Sequence, residues 1–356
     1  MTKPTASGLD GVNVADTLIS HVDGERGHLV IAGSDVEQLA ATSTFEAAAT
    51  RVLAAGAGRD VPPVNLGPAR AAAWELVPRL GDALDLADGM DALRTALGHV
   101  ASSGDDLADA LAALGAAPVF VAAWSRRRAG NAAIAPDPAL SHAADYLRMT
   151  VGTTPSPAAI AALDAYLVTV IDHGMSASTF TARVIASTAS DLMSAVIGAV
   201  GALKGPLHGG APGPVLDMLD AIGAPDRAEP WLLGELAAGR RIMGMGHRIY
   251  RVRDPRAAVL ETAVRPLASP RLELARAVER AAAKILAERK PDRPLAANVE
   301  FYTAVLLDAV GLPREQFAPT FAASRIAGWS AHVLEQRRVG RLIRPASRYI
   351  GDGLSL

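Results

Sequence analysis

The chain has 356 residues, long enough for two lobes and for ample burial. A formal net charge of −2, with Phe, Tyr and Trp at only 4%, provides neither the cationic surface nor the stacking residues that nucleic-acid binding requires. The absence of cysteine excludes disulfides, thiolate metal sites and a cysteine nucleophile together.

Half of the residues are hydrophobic, Ala and Leu abound, and β-branched or aromatic runs of strand length are scarce, so helix is expected to dominate. The N-terminus carries no apolar signal core, and the most apolar later stretch, 186–203, is broken by Ser, Thr and Asp191. A soluble, cytoplasmic protein is expected. Between Thr17 and Leu39, Asp23-Gly24 flanked by short apolar stretches predicts a small β-hairpin. From Thr44 onward come amphipathic helices separated by breakers at Val61-Pro62-Pro63, Gly89, Ser102 to Gly104 and Pro136 to Pro138. Ser156 is placed to cap a helix that opens at Pro157 and carries Leu163, Tyr166 and Val170 on one stripe toward Asp172-His173.

The run from Ala177 to Leu203, rich in small residues on every face, predicts one long buried or interface helix. Glycines and prolines rule out regular structure over 204–213, and a helix from Pro214 to Gly223 follows. A second special turn, Gly244-Met245-Gly246-His247-Arg248, leads into a cationic run. Asn298 suits an N-cap, which places Glu300 in the first helical turn, where negative charge is favoured. Pro319 opens the last predicted helix. Arg325 lies inside its weakly polar stretch, and an arginine there calls for an anion.

His173, His208 and His247 sit beside glycines or short turns, which suggests exposed, positioned imidazoles; His21, His28, His99, His142 and His332 sit in ordinary sequence. No spacing matches a compact metal-ligand set, so no metal site is expected. The glycine turns match neither a dinucleotide fingerprint nor a Walker loop. For Arg256, Arg325 and Arg344 the two readings are structural ion pairs or convergence on a substrate with several carboxylates, which guanidinium grips bidentately.

At GPLHGGA (205–211) and GMGHRIYRVRDPRA (244–257) the chain resembles the citrate synthase family, and DHGMSASTFTARVIAST, NVEFYTAVLLDAVG and RLIRPASRYIG support this in family order. The resemblance implies an all-α fold of two domains, a large one of 1–209 and 312–356 and a smaller mobile one of 210–311, as a homodimer. It also implies condensation of acetyl-CoA with oxaloacetate and hydrolysis of citryl-CoA, with no cofactor beyond the CoA substrate and no nucleic-acid or membrane partner. By the same resemblance His208, His247 and Glu300 are catalytic. His173, Arg256, Arg325 and Arg344 bind oxaloacetate, Arg344 reaching in from the partner subunit, and Arg251, Lys290 and Arg293 contact CoA. These roles make chemical sense: a thioester α-proton yields to a carboxylate only if a donor stabilises the enolate oxygen.

Three positions depart from the family pattern. Glu300 stands for an aspartate, Gly174 for a glutamate and Ala32 for an arginine. Two other readings follow: a 2-methylcitrate synthase using propionyl-CoA, since pockets discriminate one methylene poorly, and a non-catalytic homologue that keeps the helical dimer.

Overall fold

A computed structural model describes residues 7–9, 11–208, 212–289, 295–347, 349 and 351. Among these, fifteen α-helices carry the fold and the one sheet has three short strands. Strands β1 (Ser20–Asp23) and β2 (His28–Ile31) make the expected antiparallel hairpin, and β3 (Ser34–Asp35) pairs with β2. Asp23 Oδ1 closes the turn by accepting from the backbone N–H groups of Glu25 and Arg26 at 3.1 and 3.0 Å.

Helices α1 (Val36–Thr42), α2 (Phe45–Ala57), α3 (Gly67–Trp74), α4 (Gly89–Leu97) and α5 (Asp106–Arg128) follow, four of them capped by Asp or Thr side chains. Gly89, expected to break structure, opens α4 because Asp88 accepts from the N–H groups of Met90 and Asp91. Helix α5 is long and apolar enough to cross a membrane, yet 78% of its apolar window is buried against neighbouring helices. Ser141 caps α6 (His142–Val151), and Ser156 caps α7 (Pro157–Val170), which turns Leu163, Tyr166 and Val170 inward as its periodicity predicts.

The single helix expected over 177–203 is instead two, α8 (Ala177–Ser187) and α9 (Leu192–Leu203). Ala189 takes a left-handed φ of 65°, and Asp191 then caps α9 by accepting from Ser194 N at 2.8 Å and Ser194 Oγ at 2.7 Å. Local side-chain hydrogen bonds outweigh weak helix propensity there. Helices α10 (Pro212–Ile222), α11 (Ala228–Ala237), α12 (Pro255–Val264), α13 (Arg271–Arg289) and α14 (Val299–Ala309) pack on one another, and α12 also lies against α7 and α1. Helix α15 (Phe317–Val339) completes the fold. Both α10 and α15 begin two residues before the predicted prolines, since a first-turn proline lacks only an N–H that would be orphaned anyway.

Helix α15 is the axis of the larger group. Phe321 to Val333 is buried without interruption, and α2, α5, α7, α8 and α9 surround it. Such packing needs close backbone approach: a Cβ on Gly56 of α2 would lie 2.2 Å from the Ala331 carbonyl oxygen. Gly56→Ala should therefore destabilise the protein by roughly 1–3 kcal/mol, because a backbone carbonyl cannot rotate away and overpacking outweighs the gain of about 1 kcal/mol in helix propensity. The check is a lower urea midpoint at unchanged denaturant slope.

Candidate active site

Two loops and two helix ends meet where α14, α15 and the end of α7 converge. Gly244 and Gly246 hold positive φ of 71° and 86°, and a side chain at 244 would lie 2.9 Å from Phe301 Cβ, so the turn before His247 requires glycine. That turn is sewn to the segment before α14: Gly246 N–H donates to Ala296 O at 2.7 Å and Asn298 N–H to Gly244 O at 2.9 Å. Asn298 works at both ends, its Nδ2 donating to Gly246 O at 2.8 Å while its Oδ1 accepts from Glu300 N at 3.0 Å. The His247 turn and the Glu300 helix thus move as one piece.

Hydrogen bonds fix the tautomers of two histidines. His208 Nε2 accepts from Ser178 N at 3.2 Å and faces Ser178 Oγ at 2.9 Å, and that hydroxyl oxygen also accepts from Trp329 Nε1 at 3.1 Å. Nε2 is an acceptor, and the proton of neutral His208 resides on Nδ1. His247 is the mirror case. Its Nδ1 accepts from Ile249 N at 3.0 Å and Tyr250 N at 3.2 Å, which leaves the proton on Nε2. Nε2 lies 3.4 Å from Arg256 Nη2, a second donor. Two donors side by side mark the place of an oxygen acceptor.

The surrounding charge is unbalanced. Asp254, itself buried, holds Arg256 with two oxygens at 3.0 and 2.8 Å and also accepts from Val299 N. Arg325 is buried, donates through Nε to Val170 O at 2.6 Å, stacks on Phe321, and among the described residues has no partner for Nη2. Burial lowers its pKa to about 10. Burial and then these arginines hold His173 well below the usual histidine range, and burial with Arg256 brings His247 down to about 4. His208 is also lowered, by burial first and by Arg325. Glu300 moves the other way: burial raises it to about 7, against the pull of Arg256 and Arg325. Neutral imidazole donors, a buried arginine with an unpaired Nη2 and a carboxyl poised near neutrality suit proton abstraction beside an anionic substrate.

The structure brings together six of the ten predicted site residues: His173, His208, His247, Arg256, Glu300 and Arg325. The expectation of exposed imidazoles is corrected for His173, which is 8% exposed, with Nε2 3.1 Å from Tyr250 Oη and its ring centroid 5.5 Å from that of His247. Arg251 lies exposed at the rim, its backbone N–H bound to Gly24 O at 2.9 Å. Arg344 is exposed in the extended stretch after α15, and this single chain does not bring it to the cluster. Lys290 and Arg293 lie outside the described residues. Sequence reading missed Ser178, Trp329, Asp172 and His332. Only Asp172, next to His173, carried any signal.

The family model described as "Citrate synthase, C-terminal domain" matches residues 8–346. The chain belongs to the citrate synthase family. It is 35% identical over 364 residues to the citrate synthase of Deinococcus radiodurans, covering 97% of this chain and 96% of the relative. It is also 35% identical over 375 residues to the 2-methylcitrate synthase of Mycobacterium tuberculosis, covering 99% and 93%. The citrate synthase of Thermoplasma acidophilum, solved as a ternary complex with carboxymethyl coenzyme A and oxaloacetate, superposes with a TM-score of 0.87 at 26% identity, covering 100% of this chain and 98% of that one. The all-helical fold is the family's. In this citrate synthase fold, Ser178→Ala removes the hydroxyl beside His208 Nε2 and leaves the backbone N–H as the one Ser178 donor to that nitrogen. It should lower kcat about 10–100-fold in the condensation while leaving the affinity for the keto acid nearly unchanged, as steady-state kinetics and calorimetry would show.

Proposed function

We propose that this protein condenses acetyl-CoA with oxaloacetate and hydrolyses the resulting citryl-CoA to citrate and CoA. The observation that carries this reading is the opposite tautomer setting of two histidines in a site whose buried carboxyl, Glu300, has its pKa raised to about 7. His208 Nδ1–H donates to the thioester oxygen as Glu300 removes the methyl proton, and the enolate carbon attacks the keto carbon of oxaloacetate. His247 Nε2–H, beside Arg256, passes its proton to the keto oxygen as the carbon–carbon bond forms. Arg256, Arg325 and His173 grip the carboxylates. Water then cleaves the citryl thioester.

The carried-over assembly belongs to the same proposal. The segment 210–311 acts as the smaller, mobile domain, closing on 1–209 and 312–356 where α12 meets α7. The chain works as a homodimer in the cytoplasm, and the exposed Arg344 completes the oxaloacetate site of the partner subunit. Arg251, Lys290 and Arg293 form the CoA side. The relative named 2-methylcitrate synthase supports a second reading, in which propionyl-CoA is the preferred thioester.

Free CoA released from acetyl-CoA or propionyl-CoA in the presence of oxaloacetate, followed with a thiol reagent, separates the readings; a chain without cysteine adds no background. Acetyl-CoA is expected to be preferred. A strong preference for propionyl-CoA moves the assignment to the second reading, and no release from either leaves a non-catalytic homologue. Glu300→Gln should abolish turnover with little loss of oxaloacetate binding. Because Glu300 acts only when ionised and its pKa is raised to about 7, kcat/KM should rise with pH through about 7 and level off above it. An acid limb centred near 4.5 in the pH–rate profile would contradict the assignment.

A further inference from the structure

Beneath His173 lies a set of buried polar groups that the chemistry above does not use. Arg183 of α8, fully buried, donates from Nε to His332 Nδ1 at 2.9 Å, pairs with Glu335 and donates from Nη1 to Gln336 Oε1 at 3.1 Å. A guanidinium can only donate, so His332 Nδ1 is an acceptor and Nε2 carries the proton. That Nε2 lies 3.2 Å from Asp172 Oδ1; the two are not aligned for a linear hydrogen bond, but neither atom has another partner. The other oxygen, Asp172 Oδ2, accepts from Ser20 Oγ at 2.5 Å and Gly174 N at 2.9 Å. Glu335 Oε1 accepts from Leu18 N at 2.8 Å, two residues before Ser20. The chain of contacts therefore closes into a ring: Asp172, His332, Arg183, Glu335, Leu18, Ser20 and back.

We propose that Asp172, held between Ser20 of the hairpin and His332 of α15, is a positioning residue that fixes the His173 segment for oxaloacetate. This inference rests on the oxaloacetate-binding role of His173 proposed above. Helix α15 grips the segment at three successive residues: Arg325 at the Val170 carbonyl, Gly328 at Ile171 and His332 at Asp172. A Cβ on Gly328 would lie 2.4 Å from Ile171 O and 2.6 Å from Asp172 Oδ1, so the helix sits as close as backbone allows. Burial alone would raise the Asp172 carboxyl, but His332, Arg325 and the Ser20 hydroxyl outweigh it and keep the group below the usual range, an ionised acceptor. The polarity of the ring is directional. An amide NH2 in place of Oδ1 would face the His332 Nε2 proton, and the ring could not turn over because Arg183 donates on its other side.

Asp172→Asn, nearly isosteric, and His332→Phe should each raise KM for oxaloacetate about tenfold or more, with KM for acetyl-CoA changed far less. His332→Gln, whose amide can accept from Arg183 and donate to Asp172, should restore KM to within about threefold of the parent. Ser20→Ala, outside the core, removes one bond to Asp172 and keeps the test alive if the buried variants do not fold; it should raise the same KM about threefold. Oxaloacetate titration calorimetry on folded protein gives the matching Kd. If the parent enzyme turns over and Ser20→Ala and Asp172→Asn leave KM and Kd for oxaloacetate unchanged, or lower only the active fraction, Asp172 is structural and the proposal is wrong. A parent enzyme that releases no CoA overturns the reading beneath it instead.

Discussion

Much of this molecule depends on how closely one buried helix sits against one loop. Helix α15 reaches the 170–172 backbone through a glycine, with Arg325 and His332 on either side of it along the same face. One residue after that glycine, Trp329 donates to Ser178, whose backbone N–H donates to His208. Two separated histidines of the site are thus oriented by a single element that itself belongs to the core. The same density that makes the core stable fixes the geometry of the donors, and small displacements of such donors are costly.

That arrangement concentrates positive charge. Arg256 has Asp254 as a bidentate partner, whereas Arg325 has only a backbone carbonyl and an aromatic face. A buried guanidinium without a carboxylate is unfavourable in an empty site and becomes favourable when a dicarboxylate enters. The field has a second consequence, because protonated imidazoles beside these arginines would be repelled. Burial first, and this repulsion added to it, holds His173, His208 and His247 neutral, and a neutral imidazole with a defined tautomer donates one directed hydrogen bond.

Local signals in the sequence were legible where one residue acts on its own neighbours. Asn298 and Ser156 as caps, Asp23-Gly24 as a turn and the inward stripe of α7 all follow from short-range chemistry. The glycine turns around His208 and His247 pointed to family and site together. What stayed hidden depends on long-range contact. Ser178, Trp329 and His332 stand in runs that read as ordinary helix, and their importance comes from partners more than a hundred residues away. The break at Ala189 was masked by the apolar run on both sides, although Asp191 followed by Ser194 carried the pattern of a cap.

Glu300 shows how a departure from the family pattern can be absorbed. Its place in the first turn of α14 favours the ionised form, as do Arg256 and Arg325, yet burial prevails and lifts the pKa from 4.5 to about 7. A base of that strength accepts a carbon-bound proton more readily than an ordinary carboxylate while remaining substantially ionised at neutral pH. The longer side chain needs room, and among the described residues Glu300 Oε2 meets no hydrogen-bond partner. The buried Tyr166 lies beside Thr303 and close enough to feel the charge of Glu300. A carboxylate tied down by a fixed local donor would have its pKa lowered and its reach set in advance. In the base role proposed for Glu300, an oxygen left unbound keeps the group both strong and free to meet the substrate, so that role tolerates an extra methylene.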